Sequence, residues 1–207
     1  MKNTNIIFLL GPSQAGKDTI GKLLVDKHEY IRVSFADAVK EEYASINNID
    51  VKLLHIQGEE KEKHREGLIE LAEGKRSIDP LCWLEKAFSL HQDENKYFNE
   101  GLNLVVTDCR RSSEIDWIDN YKDLISSVNN YVKSTDSPRF YLNIFLVYID
   151  NQEALKNDKD VLTHYCIGYA KGKELIDMTL DNNSTLEDLT QKIEKLNKLI
   201  NPTIYSK

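Results

Sequence analysis

The sequence predicts an α/β fold, a parallel sheet covered by helices on both faces. Three observations carry this expectation. Short apolar runs, residues 5–10 with Ile6-Ile7-Phe8-Leu9-Leu10 and residues 102–107 "LNLVVT", have the pattern of strands buried on both sides. Charged segments with helical apolar spacing alternate with them. The first run leads directly into "GPSQAGKDT", a turn bounded by glycines that opens a helix. At 207 residues the chain is long enough for one such domain with a sizeable core and short for two.

In chain order, residues 5–10 are the first strand and 17–27 the helix after it, with Ile20, Leu23 and Leu24 at helical spacing. Residues 30–35 alternate as a short strand, and 36–48 read as a helix stopped by Asn47-Asn48. Residues 59–75 form a charged helix with Leu68, Ile69, Leu71 and Ala72 on its apolar side. Asp79-Pro80 then starts a helix through Trp83, Leu84 and Phe88. After the strand at 102–107 come a helix over 113–120 and a polar stretch, 121–138, expected to be peripheral. Residues 141–149 are strand, 151–172 show no core pattern, 175–180 form the last strand and 185–199 an amphipathic closing helix. Ligands of such sheets lie at the carboxyl ends of the strands, which predicts that segments 11–16, 36–40 and 108–111 converge there.

A formal net charge of -7 argues against a broad nucleic-acid surface, though not against a small basic pocket. Cys82, Cys109 and Cys166 lack metal-type spacing and read as thiols of a reducing cytosol, and the five histidines show no ligand spacing. No signal peptide is visible, and no run approaches the roughly 20 apolar residues of a membrane span.

Gly11 to Gly16 followed by Lys17 matches the spacing of a phosphate-cradling loop. Its backbone N–H groups would face an anion, with a helix dipole behind them and the lysine charge for the β- and γ-phosphates. Gly11, Ala15, Gly16, Lys17, Asp18 and Thr19 form the expected nucleotide-binding set. Asp18 stands where a hydroxyl residue is usual. It is either a carboxylate ligand for Mg²⁺ or a first-turn acid at a helix N-terminus.

"GKDT", "SFADAVKEEYA" (34–44), "EGKRSIDPLCWLEKAF" (73–88) and "LVVTDCRRSSEIDWI" (104–118) follow in this order. Together they resemble the P-loop kinases that include phage-type deoxynucleoside monophosphate kinases and animal-type phosphomevalonate kinases. The resemblance covers about residues 5–118 and returns faintly at 180–189. It implies a P-loop kinase three-layer sandwich, ATP as co-substrate, Mg²⁺, and a phosphate-bearing small acceptor. It also implies a helical acceptor-binding part at about 36–100 and a candidate lid at about 150–173. Phosphoryl transfer rests on positioning and charge neutralisation, so cations and metal ligands should dominate the site. Asp108, ending a buried strand, is a second acid for Mg²⁺ or a turn cap. Arg110 and Arg111 form a fork for the acceptor phosphate or the transferring group, unless one of them pairs with Glu114. By resemblance Asp37, Lys40 and Arg76 lie beside the acceptor, while Lys75 and Arg65 read as solvated. Catalytic assistance is expected from Lys17, Arg110 and Arg111.

Two departures stand out. The loop interior, Pro12-Ser13-Gln14, carries no cation, and residues 150–173 contain no arginine, only Lys156, Lys159, Lys171 and Lys173. The leading expectation is a (deoxy)nucleoside monophosphate kinase, with phosphomevalonate kinase as the alternative and a non-catalytic nucleotide-binding module as the third reading. Expected partners are ATP and the acceptor, with no nucleic-acid polymer and no membrane. The chain is expected as a monomer or homodimer in the cytoplasm, the host's if phage-encoded.

Overall fold

Alternate side chains of the first strand bury on opposite faces, and this places it at the centre of the sheet. The computed structural model describes residues 2–56, 58–90, 101–134 and 140–202. Its five parallel strands are β1 (Lys2–Leu10), β2 (Ile31–Val33), β3 (Leu104–Cys109), β4 (Phe140–Asp150) and β5 (Met178–Asp181), in the order β2-β3-β1-β4-β5. The helices are α1 (Lys17–His28), α2 (Phe35–Asn47), α3 (Lys52–His55), α4 (Glu59–Lys63), α5 (Arg65–Arg76), α6 (Cys82–Leu90), α7 (Ser112–Ser134), α8 (Gln152–Asn157), α9 (Val161–Gly172) and α10 (Leu186–Ile200). The chain forms two compact units, Met1–Arg32 with Asp93–Lys207, and Val33–Gln92.

In the larger unit, Ile7, Leu9, Val105, Val147 and Ile149 pack against Ile20 and Leu24 of α1 and Leu189, Ile193, Leu196 and Ile200 of α10. The opposite face receives α7, whose Trp117 ring lies 5.9 Å from that of Phe8, and α9 packs beside α7. Fully burying each aliphatic side chain contributes about 1.5–3 kcal/mol, so the two-sided strands hold the sheet. At the amino end of the sheet the buried amide of Asn5 donates to Asn201 Oδ1 at 2.7 Å and Asn103 Oδ1 at 3.0 Å, and accepts from Asn143 at 2.8 Å. Asn201 Nδ2 in turn donates to Tyr30 OH and Asn197 Oδ1. This ties the last turn of α10 to three strands.

The smaller unit is helical. Trp83 of α6 is buried and donates to Ala72 O of α5 at 3.0 Å. Gly67 lies so close to Tyr43 that no Cβ fits.

Four expectations are corrected. The helix expected over 113–120 instead runs on to Ser134, so the polar stretch from residue 121 is helical, although none of residues 121–130 is buried. Tyr121, Leu124 and Val128 keep the helical spacing but are exposed, so the periodicity was diluted by polar neighbours; residues 135–138 lie outside the described residues. Residues 151–172 do carry a core pattern, in α8 and α9, but apart from Ile167 its buried face is Ala154, Thr163, Cys166 and Ala170, small or polar types with a weak apolar signal. The helix expected over 59–75 breaks at His64 into α4 and α5. Strand β2 stops at Val33 because Ser34 caps α2, accepting from Asp37 N. His91 and the last ten residues of the 36–100 stretch lie outside the described residues.

Candidate active site

Gly11 leaves β1 beside Ile149, and a Cβ there would meet Ile149 O at 3.1 Å. The loop then turns through Gln14 at φ 61° and Gly16 at φ 95°, left-handed conformations that turn successive N–H groups to one side. Asn182, after β5, donates to Ala15 O at 2.8 Å and lies so close to Gly16 that no side chain fits there. Helix α1 starts on Gly16 with no side-chain cap, whereas α2, α9 and α10 start on Ser34, Asp160 and Thr185, each accepting from a helical N–H. The first turn of α1 therefore keeps donors for an anion.

Lys17 Nζ folds back over the loop and donates to Gly11 O at 2.7 Å and Pro12 O at 2.6 Å. Burial pushes its pKa down, the Arg110 charge adds to this, and Asp18, Asp158 and Asp108 oppose it. Two cations and three carboxylates thus share one region at the carboxyl ends of β1 and β3. A register shift contributes: Phe8 pairs with Val106 but Leu10 pairs with Cys109, so β3 carries one extra residue where Thr107 and Asp108 stand. Such a bulge re-aims side chains beside a site. The strand continues to Cys109, beyond the expected end at residue 107.

The structure brings the 11–16 and 108–111 segments together. Residues 36–40 form part of α2 in the smaller unit. There Asp37 pairs with Lys40 at 2.7 Å and lies 3.7 Å from His55 Nδ1. Arg76 pairs with Glu73 at 2.8 Å. Lys75 is not simply solvated: with Lys86 it pairs with Glu42, both ammonium groups lying over the Trp83 ring. Burial pushes the Glu42 carboxyl up, but the two lysines hold it below its ordinary value. Arg65, paired with Glu62, is solvated as expected.

Asp18 is largely exposed and lies 3.9 Å from Arg32, and Thr19 is exposed. Among the described residues no group of three or more His, Cys, Asp or Glu side chains could hold a metal ion alone. Asp18 and Asp108 offer hard oxygen donors whose charges act on Lys17, a donor set that fits Mg²⁺ held mainly by phosphate and water. Arg110 is exposed and Arg111 half-buried. Burial pushes the Cys109 and Cys166 thiols up, the latter to about 12, consistent with unreactive packing cysteines.

Two contributors, Asp158 and Asn182, lay outside the sequence expectations, and a third, Glu114, was expected only as an ion-pair partner of Arg110 or Arg111. Asp158 Oδ2 accepts from Ser13 N–H at 2.7 Å, placing a carboxylate on a loop donor across 145 residues of chain. Glu114 Oε2 accepts from the main-chain N–H groups of Arg110 and Arg111 at 2.8 and 3.0 Å. Asn182 braces the loop as described; the faint likeness at 180–189 was its one signal. Of the four lysines of 150–173, two are committed elsewhere. Lys173 pairs with Asp116 and Asp119, and Lys171 lies 4.2 Å from the Tyr148 ring centroid. The group of this segment that meets the loop through a hydrogen bond is an acid, Asp158; burial pushes the nearby Asp160 carboxyl up, but Thr163, the Leu162 N–H and the Arg110 charge hold it low.

No curated protein sequence matches the chain. Among solved structures it is similar to a dephospho-CoA kinase from Campylobacter jejuni, at 14% identity and a TM-score of 0.50 over 95% of this chain and 97% of that one. A gluconokinase from Sinorhizobium meliloti gives 13% identity and a TM-score of 0.46, with 97% and 96% covered. The first shows a P-loop kinase fold. The family model of phosphomevalonate kinase matches residues 9–123. That span opens in the strand delivering the phosphate loop and closes in α7, so it takes in both the phosphate loop and the segment of Arg110 and Arg111. The chain belongs to the phosphomevalonate kinase family.

Proposed function

We propose that the protein transfers the γ-phosphoryl group of ATP to the phosphate of a small acceptor. The observation that carries this is the phosphate loop at the uncapped start of α1, with Lys17 folded over its carbonyls and Arg110 directly following the strand that pairs with β1 at Leu10. In this reading Gly11, Ala15, Gly16, Lys17, Asp18 and Thr19 hold the nucleotide. Lys17 leaves the carbonyls of Gly11 and Pro12 for the β- and γ-phosphates. Arg110 and Arg111 neutralise charge on the transferring group and the acceptor. An acceptor phosphate oxygen attacks the γ-phosphorus as the bond to the β–γ bridging oxygen breaks, and ADP leaves. No general base is needed, because the attacking oxygen is already anionic. Mg²⁺ held near Asp18 and Asp108 would supply charge neutralisation on the donor phosphates. Asp37, Lys40 and Arg76 are our candidates for binding the acceptor; each now holds an ion pair that a bound anion would have to compete with.

Family membership supports phosphomevalonate as the acceptor. The cation-free Pro12-Ser13-Gln14 and the "FAD" stretch support a second reading, a (deoxy)nucleoside monophosphate. ADP release from Mg·ATP against phosphomevalonate and a panel of dNMPs and NMPs tests both. Turnover with phosphomevalonate alone, or with a subset of nucleotides, selects the acceptor. ATP binding without transfer to any of them overturns catalysis and leaves a nucleotide-binding module.

A further inference from the structure

Helix α7 begins in an unusual way for a helix so close to a site. Its flanking residue, Arg111, has the carbonyl that accepts from Ile115 N at 3.2 Å, so it occupies the N-cap position. Ser, Thr, Asp or Asn are preferred there because their side chains satisfy a free helical N–H, and arginine has no oxygen to do so. The stabilising contact comes instead from the third residue of the helix. Glu114 reaches back to the N-cap N–H of Arg111, as the acidic half of a capping box does, and with the same oxygen takes the N–H of Arg110. The Cys109 thiol bonds to this carboxylate as well, so three consecutive residues after Asp108 are fixed by one side chain.

Glu114 is 3% exposed. Burying a carboxylate is costly unless charge-assisted hydrogen bonds compensate, and an ordinary capped turn would not require it. The residue it holds most directly is Arg110, the cation coupled to Lys17. We propose that Glu114 is the positioning residue of the site: it sets the backbone from which Arg110 and Arg111 reach the phosphates. This rests on the reading that these arginines bind phosphate.

The test compares Glu114→Ala, Glu114→Asp, Glu114→Gln and the double variant Arg110→Ala/Arg111→Ala in the full chain. Inorganic pyrophosphate binding is measured by calorimetry, and amide exchange at residues 110 and 111 by NMR. The double variant should weaken pyrophosphate binding by about tenfold, in line with the loss of charge-assisted bonds. Glu114→Ala should approach that loss and speed exchange of both amides by about tenfold or more. Glu114→Gln keeps an oxygen acceptor and should stay within about twofold of the parent on both readouts. Glu114→Asp keeps the charge but is one methylene short, and decides the matter if the alanine variant does not fold; it should weaken binding and free the amides. Fast exchange with unchanged pyrophosphate affinity in either shortened variant, well below its melting temperature, makes Glu114 a helix cap only and overturns the proposal. Unchanged affinity in the double arginine variant instead removes the phosphate reading on which it stands.

Discussion

The two ends of the same sheet treat buried polar groups in opposite ways. At the amino end Asn5, Asn103, Asn143, Asn197, Asn201 and Tyr30 are neutral and hydrogen-bond one another. At the carboxyl end the polar groups are charged and lean on temporary partners: Lys17 on two loop carbonyls and Asp158 on Ser13 N–H. Buried polar atoms without a hydrogen-bond partner occur at both ends, Asn3 Oδ1 at the amino end and the hydroxyls of Thr107 and Tyr148 toward the carboxyl end. A network of amides and a phenol that largely satisfy one another stabilises one arrangement. A set of ions satisfied by groups that an anion can displace is suited to exchange one set of contacts for another. From this difference the amino end is expected to serve stability and the carboxyl end binding.

Substitutions at the two ends should therefore separate activity from stability. The largest effect is expected from Lys17→Ala, which should lower turnover by about 10²–10³-fold, as for removal of a preorganised electrostatic donor, with little change in the urea midpoint. A large fall in stability together with activity would blur the distinction. Asn5→Ala is the converse. It leaves Asn143 Nδ2 without its acceptor and Asn201 Oδ1 without its shortest donor, and should cost about 2–4 kcal/mol in urea unfolding, with turnover per folded molecule within about twofold of the parent. Lost turnover in that variant at temperatures where it is folded would couple the two ends.

Asp158→Asn sharpens the comparison at smaller scale, since the amide still accepts from Ser13 N–H and only the charge is lost. Nucleotide affinity, followed with a fluorescent ATP analogue, should rise by about fivefold to tenfold, or roughly 1 kcal/mol. Equal or weaker binding would mean that the carboxylate does not compete with phosphate. The smallest effect is in pH. Burial and Arg110 lower the Lys17 pKa in the free protein, and bound phosphates would raise it again. Binding then favours the protonated lysine, so affinity should be constant below the free-protein pKa. Above it, affinity should fall by up to about tenfold per pH unit until the pKa of the complex is reached, with proton uptake on binding in that range. Lys17→Met should abolish this alkaline dependence.

Much of the fold and part of the site were legible because their causes are local. Leu9, Val105 and Val147 announce two-sided burial by composition, and Gly11, Gly16 and Lys17 must lie within one turn of each other whatever the rest of the chain does. Arg110 and Arg111 could be found because they directly follow a strand whose carboxyl end the parallel topology fixes. Helix α9 was not legible, since Thr163, Cys166 and Ala170 bury a face without strong hydrophobicity. Nor were Asp158 and Asn182, which reach the loop from 145 and 167 residues away. Glu114 was within four residues of the arginines, yet its spacing fits a surface ion pair as well as a buried acceptor, and only burial distinguishes them. By itself the sequence determined the sheet, the phosphate loop and the cations that follow β1 and β3, because short-range chain geometry and apolar patterning specify them. The tertiary structure alone decided which carboxylates face those cations, because that depends on register, burial and the meeting of distant segments.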